Sequence, residues 1–489
     1  MGIIQRQTIS GTAFTYLGII IGFVTTALIF PRVLTSEQIG LLGIFLSYSF
    51  IFAQFATLGT GRVTILFFPF FRDKSRNHHG FFYLMTMIAV IGLGVVLTVF
   101  FLIKPRLIEN ANDSSTLFAE NINYLIPLII ATLFFLLFDS FNKNLFNAVR
   151  GIVLKEFIQR LFILLFILFF INHWITFEQY IPLYVIALAI PPIVLLIALL
   201  RHPEFTFRPS AIDRVREYGK KMVSVGFYGI MIGFSGMVIL NIDRIMVERM
   251  IGLSATGIYL TMAYFATLVV IPSRALLKIS DPVISQFWKD RDMKSLQDNY
   301  YRSSLNQFLA GSLILIGVWG NIGNIARILP GEYAAGSLVV LLIGLAFLTD
   351  MATGTATYIL ANSKYFKYQT YFILLLVLFI VVTNYLLIPV WGITGAAAAT
   401  LISKFLNNLM RHQLLFWKFR FQPYNRKFLF IIGVSLISYS AGYFIPEISN
   451  LYLDIFMRSA VMGGIYIILT LIFRISPELN EKLNQFIKK

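Results

Sequence analysis

Residues Phe81–Ile103 read FFYLMTMIAVIGLGVVLTVFFLI, with no charged side chain in the run. A helix needs about 20 apolar residues to cross the hydrocarbon core of a bilayer. A membrane β-strand would be about ten residues long and alternate in polarity, and this run does not alternate. It is read as a transmembrane α-helix. Working outward from it, the same pattern recurs on both sides. The spans fall at about 8–30, 39–60, 81–103, 123–141, 159–176, 179–200, 222–241, 254–273, 304–325, 336–360, 369–389, 394–416, 428–446 and 454–473. Fourteen spans leave no stretch long enough for a soluble domain. The fifth is short and ends at His173–Trp174. The sixth contains Pro182 and Pro191–Pro192, which membrane helices tolerate because neighbouring groups satisfy the freed carbonyls. The first is expected to stay as helix 1. Its apolar core is long for a signal peptide, its basic end is only Arg6, and no small-x-small site precedes Pro31. The fold class is therefore all-α and polytopic.

Composition agrees. The 489 residues are 58% hydrophobic and 13% charged, with a mean hydropathy of +0.78. Soluble proteins are roughly 45–50% apolar and about 25% charged. Water-soluble, disordered and collagen-like classes are excluded. With no cysteine, disulfides, thiolate metal sites and cysteine nucleophiles are excluded as well.

The net charge of +17 is a matter of orientation. With the N-terminus inside, 32 of the 40 Lys and Arg fall on inner segments, which predicts cytoplasmic N- and C-termini. The inner face then carries +21 and the outer face −3. This charge is spread over short loops facing an anionic leaflet, so nucleic acid is not expected as a partner.

The chain also carries an internal repeat. A shift of 217 residues lays Arg32 on Arg249 and Gly40 on Gly257. Gly18-x-x-x-Gly22 in helix 1 and Gly229-x-x-x-Gly233 in helix 7 offer small faces for close backbone approach. A shift of 211 lays Asp139 on Asp350, and Asn147-Ala148-Val149-Arg150 resembles Ala361-Asn362-Ser363-Lys364. Both shifts preserve the in/out sense. The repeat predicts residues 1–212 as one lobe, 213–420 as a second, and 421–489 as two extra helices with a cytoplasmic tail.

Two segments carry a family resemblance. One runs from Ile271-Pro272-Ser273-Arg274 through Asp281-Pro282-Val283-Ile284-Ser285 to Lys289-Asp290. The other is Pro389-Val390-Trp391-Gly392-Ile393-Thr394-Gly395 and the following Ala396-Ala397-Ala398-Ala399-Thr400. Both are similar to stretches of Wzx-type oligosaccharide flippases in the multidrug/oligosaccharidyl-lipid/polysaccharide (MOP) exporter superfamily. The six, six and two arrangement fits as well. The resemblance implies two six-helix lobes in a V around a central cavity, working by alternating access. It implies an undecaprenyl-pyrophosphate-linked oligosaccharide as cargo, flipped from the inner to the outer leaflet of the cell membrane. It further implies a polysaccharide polymerase and chain-length machinery as partners, and no enzyme activity. Lipid II flippases and multidrug exporters of the superfamily are the alternatives.

Such a cargo needs cations for its phosphates, and arginine donates bidentate hydrogen bonds to them. Arg62 and Arg274 hold equivalent places at the inner ends of helices 2 and 8, as pyrophosphate ligands or as lipid-headgroup anchors. Lys404 is the basic residue placed well inside a span, where it faces a cavity, pairs with a carboxylate or snorkels. Arg32 and Arg249, with Asp243–Arg244 nearby, lie at outer ends as phosphate receivers, a gate between lobes or interfacial charges. Asp139 and Asp350 are the intramembrane carboxylates, either coupling transport to protons or sodium or pairing structurally with a cation. Asp139 lies one turn from Lys143, which favours pairing; Thr349, Thr353, Thr355 and Thr357 surround Asp350. Tyr16, Tyr48, Tyr259 and Tyr264 are candidates to line the cavity. His78–His79 are expected to be solvated, and residues 64–71 to lie along the inner leaflet. No cofactor or metal is expected. The longest outer loop, about 104–122, is too small for the catalytic domain of a polymerase or glycosyltransferase. No P-loop, metal or nucleophile-elbow motif is present.

Overall fold

The computed structural model describes residues 3–109, 116–145, 147–209, 213–476, 478 and 480. The sequence boundary at 212/213 and the end of the tail therefore touch positions outside the described residues. The described chain is helical throughout and resolves into two compact units, Met1–Gly257 and Ile258–Lys489.

The first unit holds α1 (Ile3–Phe23), which continues through a π turn (Val24–Ile29) into α2 (Phe30–Val33). There follow α3 (Ser36–Ala56), α4 (Thr60–Phe71), α5 (Phe81–Glu109), α6 (Thr116–Asn121) and α7 (Leu125–Asn144). Then come α8 (Ala148–Ile152), α9 (Gln159–Ile171), α10 (Phe177–Leu200), α11 (Asp213–Met250) and the opening turn of α12 (Leu253–Ala266). Local sequence sets the starts: Thr35 with Gln38, and Thr176 with Gln179, form capping boxes at α3 and α10. Despite its three prolines, α10 is one helix. Helix α11 packs on α3 and α4, so the compact unit and the first sequence lobe are different partitions of the chain.

The fifth span begins earlier than the apolar window, at Ala148, and carries a π turn at Val153–Ile158. Charges inside it had masked its start. Lys155 lies 5.1 Å from the ring centres of both Phe50 and Phe135, and Glu156 pairs with Arg160 at 2.6 Å. Gly18 packs on the Glu156 backbone, and Arg160 Nη1 donates to the Gly18 carbonyl at 2.6 Å.

The 217-residue shift has a spatial counterpart where α3 meets α12. A β-carbon on Gly40 would run into the Leu253 carbonyl, and one on Gly257 into the Ser36 carbonyl. Both pairs are related by the 217-residue shift, so the contact is reciprocal, with Ser36 and Ser254 hydroxyls 2.8 Å apart beside it. Only glycine permits this approach at both places.

The second unit continues α12 and adds α13 (Ile271–Lys289), α14 (Met293–Gly320), α15 (Ile322–Ile328), α16 (Ser337–Ala352) and α17 (Ala356–Ala361). The chain ends with α18 (Lys367–Phe419), α19 (Arg426–Tyr443) and α20 (Leu451–Ile472). Gly392, with φ 57° and ψ −136°, folds α18 into two antiparallel arms. That backbone region is closed to ordinary side chains, and Gly395 lies against the Leu387 carbonyl of the other arm. Arg458 binds Asp454 at 2.7 Å and the open carbonyls of Gly442 and Ile445 at 2.9 and 2.8 Å, fastening α20 to the end of α19.

Ten described helices are long and apolar enough to cross a membrane, and the bent pair α14–α15 makes an eleventh. The second arm of α18, the α8–α9 segment and the 18-residue α19 are further described helices at positions where the sequence reading places spans. This is a multi-pass membrane protein.

One expectation is corrected. His78 is buried, not solvated: its Nδ1 accepts from the Asp73 amide at 3.1 Å and its Nε2 bonds the Glu204 carbonyl at 2.7 Å. Residues 64–71 belong to α4, whose Phe67, Phe68 and Phe71 are buried among Phe81, Phe82 and Tyr218 while Ile65, Leu66 and Phe70 stay exposed.

Candidate functional site

Arg62 stands in the first turn of α4, just after Gly59, with its Cβ packed on Gly229 of α11. Arg274 stands in the first turn of α13. Both are exposed, and neither side chain makes an ion pair or hydrogen bond among the described residues. Arg32 is exposed at the end of α2 and engaged in an interaction of its own.

In the second unit, Lys404 and Asp350 are partners. Lys404 Nζ lies 2.8 Å from Asp350 Oδ2 and 4.4 Å from the Phe347 ring centre. Asp350 Oδ1 accepts from Asn408 Nδ2 at 2.7 Å, and Asn408 Oδ1 accepts from Arg411 Nη1 at 2.9 Å. Lys404, Asn408 and Arg411 sit at i, i+4 and i+7, one face of the second α18 arm. The network of two cations and one carboxylate keeps one positive charge, borne by the buried Arg411. The surrounding threonines serve the helix end: Thr353 Oγ1 bonds the Thr349 and Asp350 carbonyls, and Thr355 bonds Ser303 and Asn299. Beside this network is a cavity of about 720 Å³, walled by groups such as Leu315, Trp319, Leu345 and Phe405, with Thr349 and Asn408 at its polar edge.

In the first unit, Asp139 forms an ion pair with Lys143, and Gly151 packs against its carboxylate. Arg249 Nε donates to Tyr48 Oη at 3.2 Å and lies 3.5 Å from the Glu248 carboxylate. Tyr48 and Tyr259 are buried, and Tyr16 is exposed. No group of three metal-ligating side chains occurs among the described residues.

Three groups escaped the sequence reading. Asn408 and Arg411 were legible from their spacing to Lys404. Glu248 precedes Arg249 near a span end, and nothing in the local sequence marks it as buried.

With this geometry in hand, comparison with known proteins places the chain. A family model described as polysaccharide biosynthesis protein matches residues 4–288, more than half of the sequence. The chain belongs to that family. An uncharacterized membrane protein of Methanocaldococcus jannaschii is 25% identical over 371 residues, 70% of this chain and 69% of the relative. The fold is similar to that of the lipid II flippase MurJ in an inward closed conformation, with a TM-score of 0.72 at 14% identity. That likeness covers 96% of this chain and 98% of MurJ. It is also similar to an inward-facing MATE multidrug transporter of the MOP superfamily, with a TM-score of 0.60 at 12% identity over 86% and 98% of the two chains. The chain thus shares the fold of these two transporters.

Proposed function

We propose that this protein flips an undecaprenyl-pyrophosphate-linked oligosaccharide from the cytoplasmic to the outer leaflet of the cell membrane, by transport without catalysis. The observation that carries this reading is the contrast among its cations. Lys404 and Lys143 are neutralised by Asp350 and Asp139, whereas Arg62 and Arg274 are exposed without a counter-ion among the described residues. A charged headgroup crosses hydrocarbon only at a cost of several kcal/mol or more, and unengaged guanidiniums at span ends suit a diphosphate that must be gathered first. Family membership in polysaccharide biosynthesis supports a lipid-linked glycan, of which lipid II is one form. A polymerase and chain-length machinery would then receive the cargo.

The test is flipping in proteoliposomes. The Arg62→Ala/Arg274→Ala variant, at equal abundance, should lose at least about tenfold in rate, roughly 1.4 kcal/mol in the transport barrier. Lysine at both positions should restore part of it, and wild-type transport by the double alanine variant refutes the assignment. The apolar cavity of the second unit favours a second reading, export of an apolar drug. Drug efflux unaffected by the two arginines, with no glycolipid flipping, would establish that reading instead.

A further inference from the structure

We propose that Glu248 is a proton-binding site set into the crossing of α3 and α11, occupied while the two helices are packed and emptied when the crossing is wetted.

Glu248 lies near the end of α11 with its side chain 3% exposed. Its Oε2 is buried and has no hydrogen-bond partner. The cation within reach is its chain neighbour Arg249, at 3.5 Å, and the same Nε is already donated to Tyr48 Oη at 3.2 Å. An ionised carboxylate held away from water with an unsatisfied oxygen is costly, and holding a proton relieves that cost.

The other groups around the crossing offer no replacement. From α3 the facing titratable group is Tyr48, which is weakly acidic and already accepts from Arg249. From α4 the nearest charge is Arg62, but it packs beside Gly229, nineteen residues earlier along α11 and so roughly 28 Å away. On α11 itself Asp243 and Arg244, about one turn back, are engaged in interactions of their own. The opening turn of α12, from Leu253 to Gly257, carries no charge.

The repeat sharpens the point. Under the shift of 217, Arg249 matches Arg32, but Glu248 matches Pro31. A carboxylate required to build this turn would be present in both copies. It is present in one, beside the reciprocal contact of Gly40 with Leu253 and Gly257 with Ser36. The site is independent of the paired Asp350 and of the cargo's identity.

The native chain has no cysteine, so labels can be introduced cleanly. Nitroxides on Phe55→Cys in α3 and Leu240→Cys in α11, both exposed, report the crossing by electron–electron distance in nanodiscs. Between about pH 8 and about pH 5, the short-distance population should at least double. Glu248→Gln should hold it high at both pH values. A pH-insensitive wild type, or a pH response that survives Glu248→Gln, overturns the proposal. Sodium closing the crossing at constant alkaline pH overturns the proton in favour of a metal cation. Should Glu248→Gln fail to fold, acid-minus-base infrared spectra of the wild type and Glu248→Asp decide. A protonated carboxyl band that moves in the aspartate variant supports the site, and an unmoved band refutes it.

Discussion

Lys404 reaches Asp350 across 54 positions of sequence, and the pair binds the second α18 arm to the end of α16. Removing one partner of a well-buried pair costs about 3–5 kcal/mol. Asp350 is 39% exposed, so a discount to roughly 1–2 kcal/mol is appropriate. Lys404→Met and Asp350→Asn should each lower the thermal midpoint in detergent, and the double variant should lose less than their sum. Strict additivity would show that the two charges do not depend on one another. A second pair lies outside the spans. Arg72 donates to Glu204 at 2.7 Å and holds its carboxyl below the usual glutamate range. A depressed carboxylate stabilises the fold above its unfolded pKa, and that contribution disappears as pH falls through the folded value. Glu204→Gln should therefore be less stable than wild type at neutral pH and equal to it in strong acid, measured as paired thermal melts. A gap that persists in acid would assign the loss to packing.

At the scale of elements, the reciprocal glycines make a demanding prediction. Alanine at Gly40 or Gly257 forces the α3–α12 approach apart, with overpacking costs of about 1–3 kcal/mol. Because the two contacts share one crossing, the double variant should cost little more than either single one. Additive losses, read from unfolding midpoints, would show that the contacts act independently. The same elements show what a sequence discloses. Phe81–Ile103 was legible because hydrocarbon burial writes itself into composition. The arms of α18 were legible because Gly392 and Gly395 lie between two apolar runs. The start of the fifth span was hidden, since Lys155, Glu156 and Arg160 look like loop charges until Phe50 and Phe135 are seen to cover the lysine. The Lys404–Asp350 partnership was one of several alternatives, because choosing it needs the register of two helices. Glu248 stayed unseen for the same reason: its burial is imposed by α3, some 200 residues away.

For the whole molecule, the charge distribution is the testable quantity. If the sequence reading that puts 32 of 40 basic residues on inner segments holds, single cysteines replacing Ser75 and His173 should label from opposite faces of the membrane. Ser75→Cys should react with an impermeant maleimide only after permeabilisation, and His173→Cys should react in intact cells. The reverse pattern would invert the topology and remove the inner-leaflet origin of the cargo.

The reciprocal crossing also bears on how the chain is made. The carbonyl that receives Gly40 belongs to Leu253, and the one that receives Gly257 belongs to Ser36. During synthesis, the face of α3 that carries Gly40 therefore waits for more than 200 further residues before its partner exists. Until then it lies open to lipid or to an insertion factor. The first compact unit is therefore completed only when its last residues, the opening turn of α12, enter the bilayer.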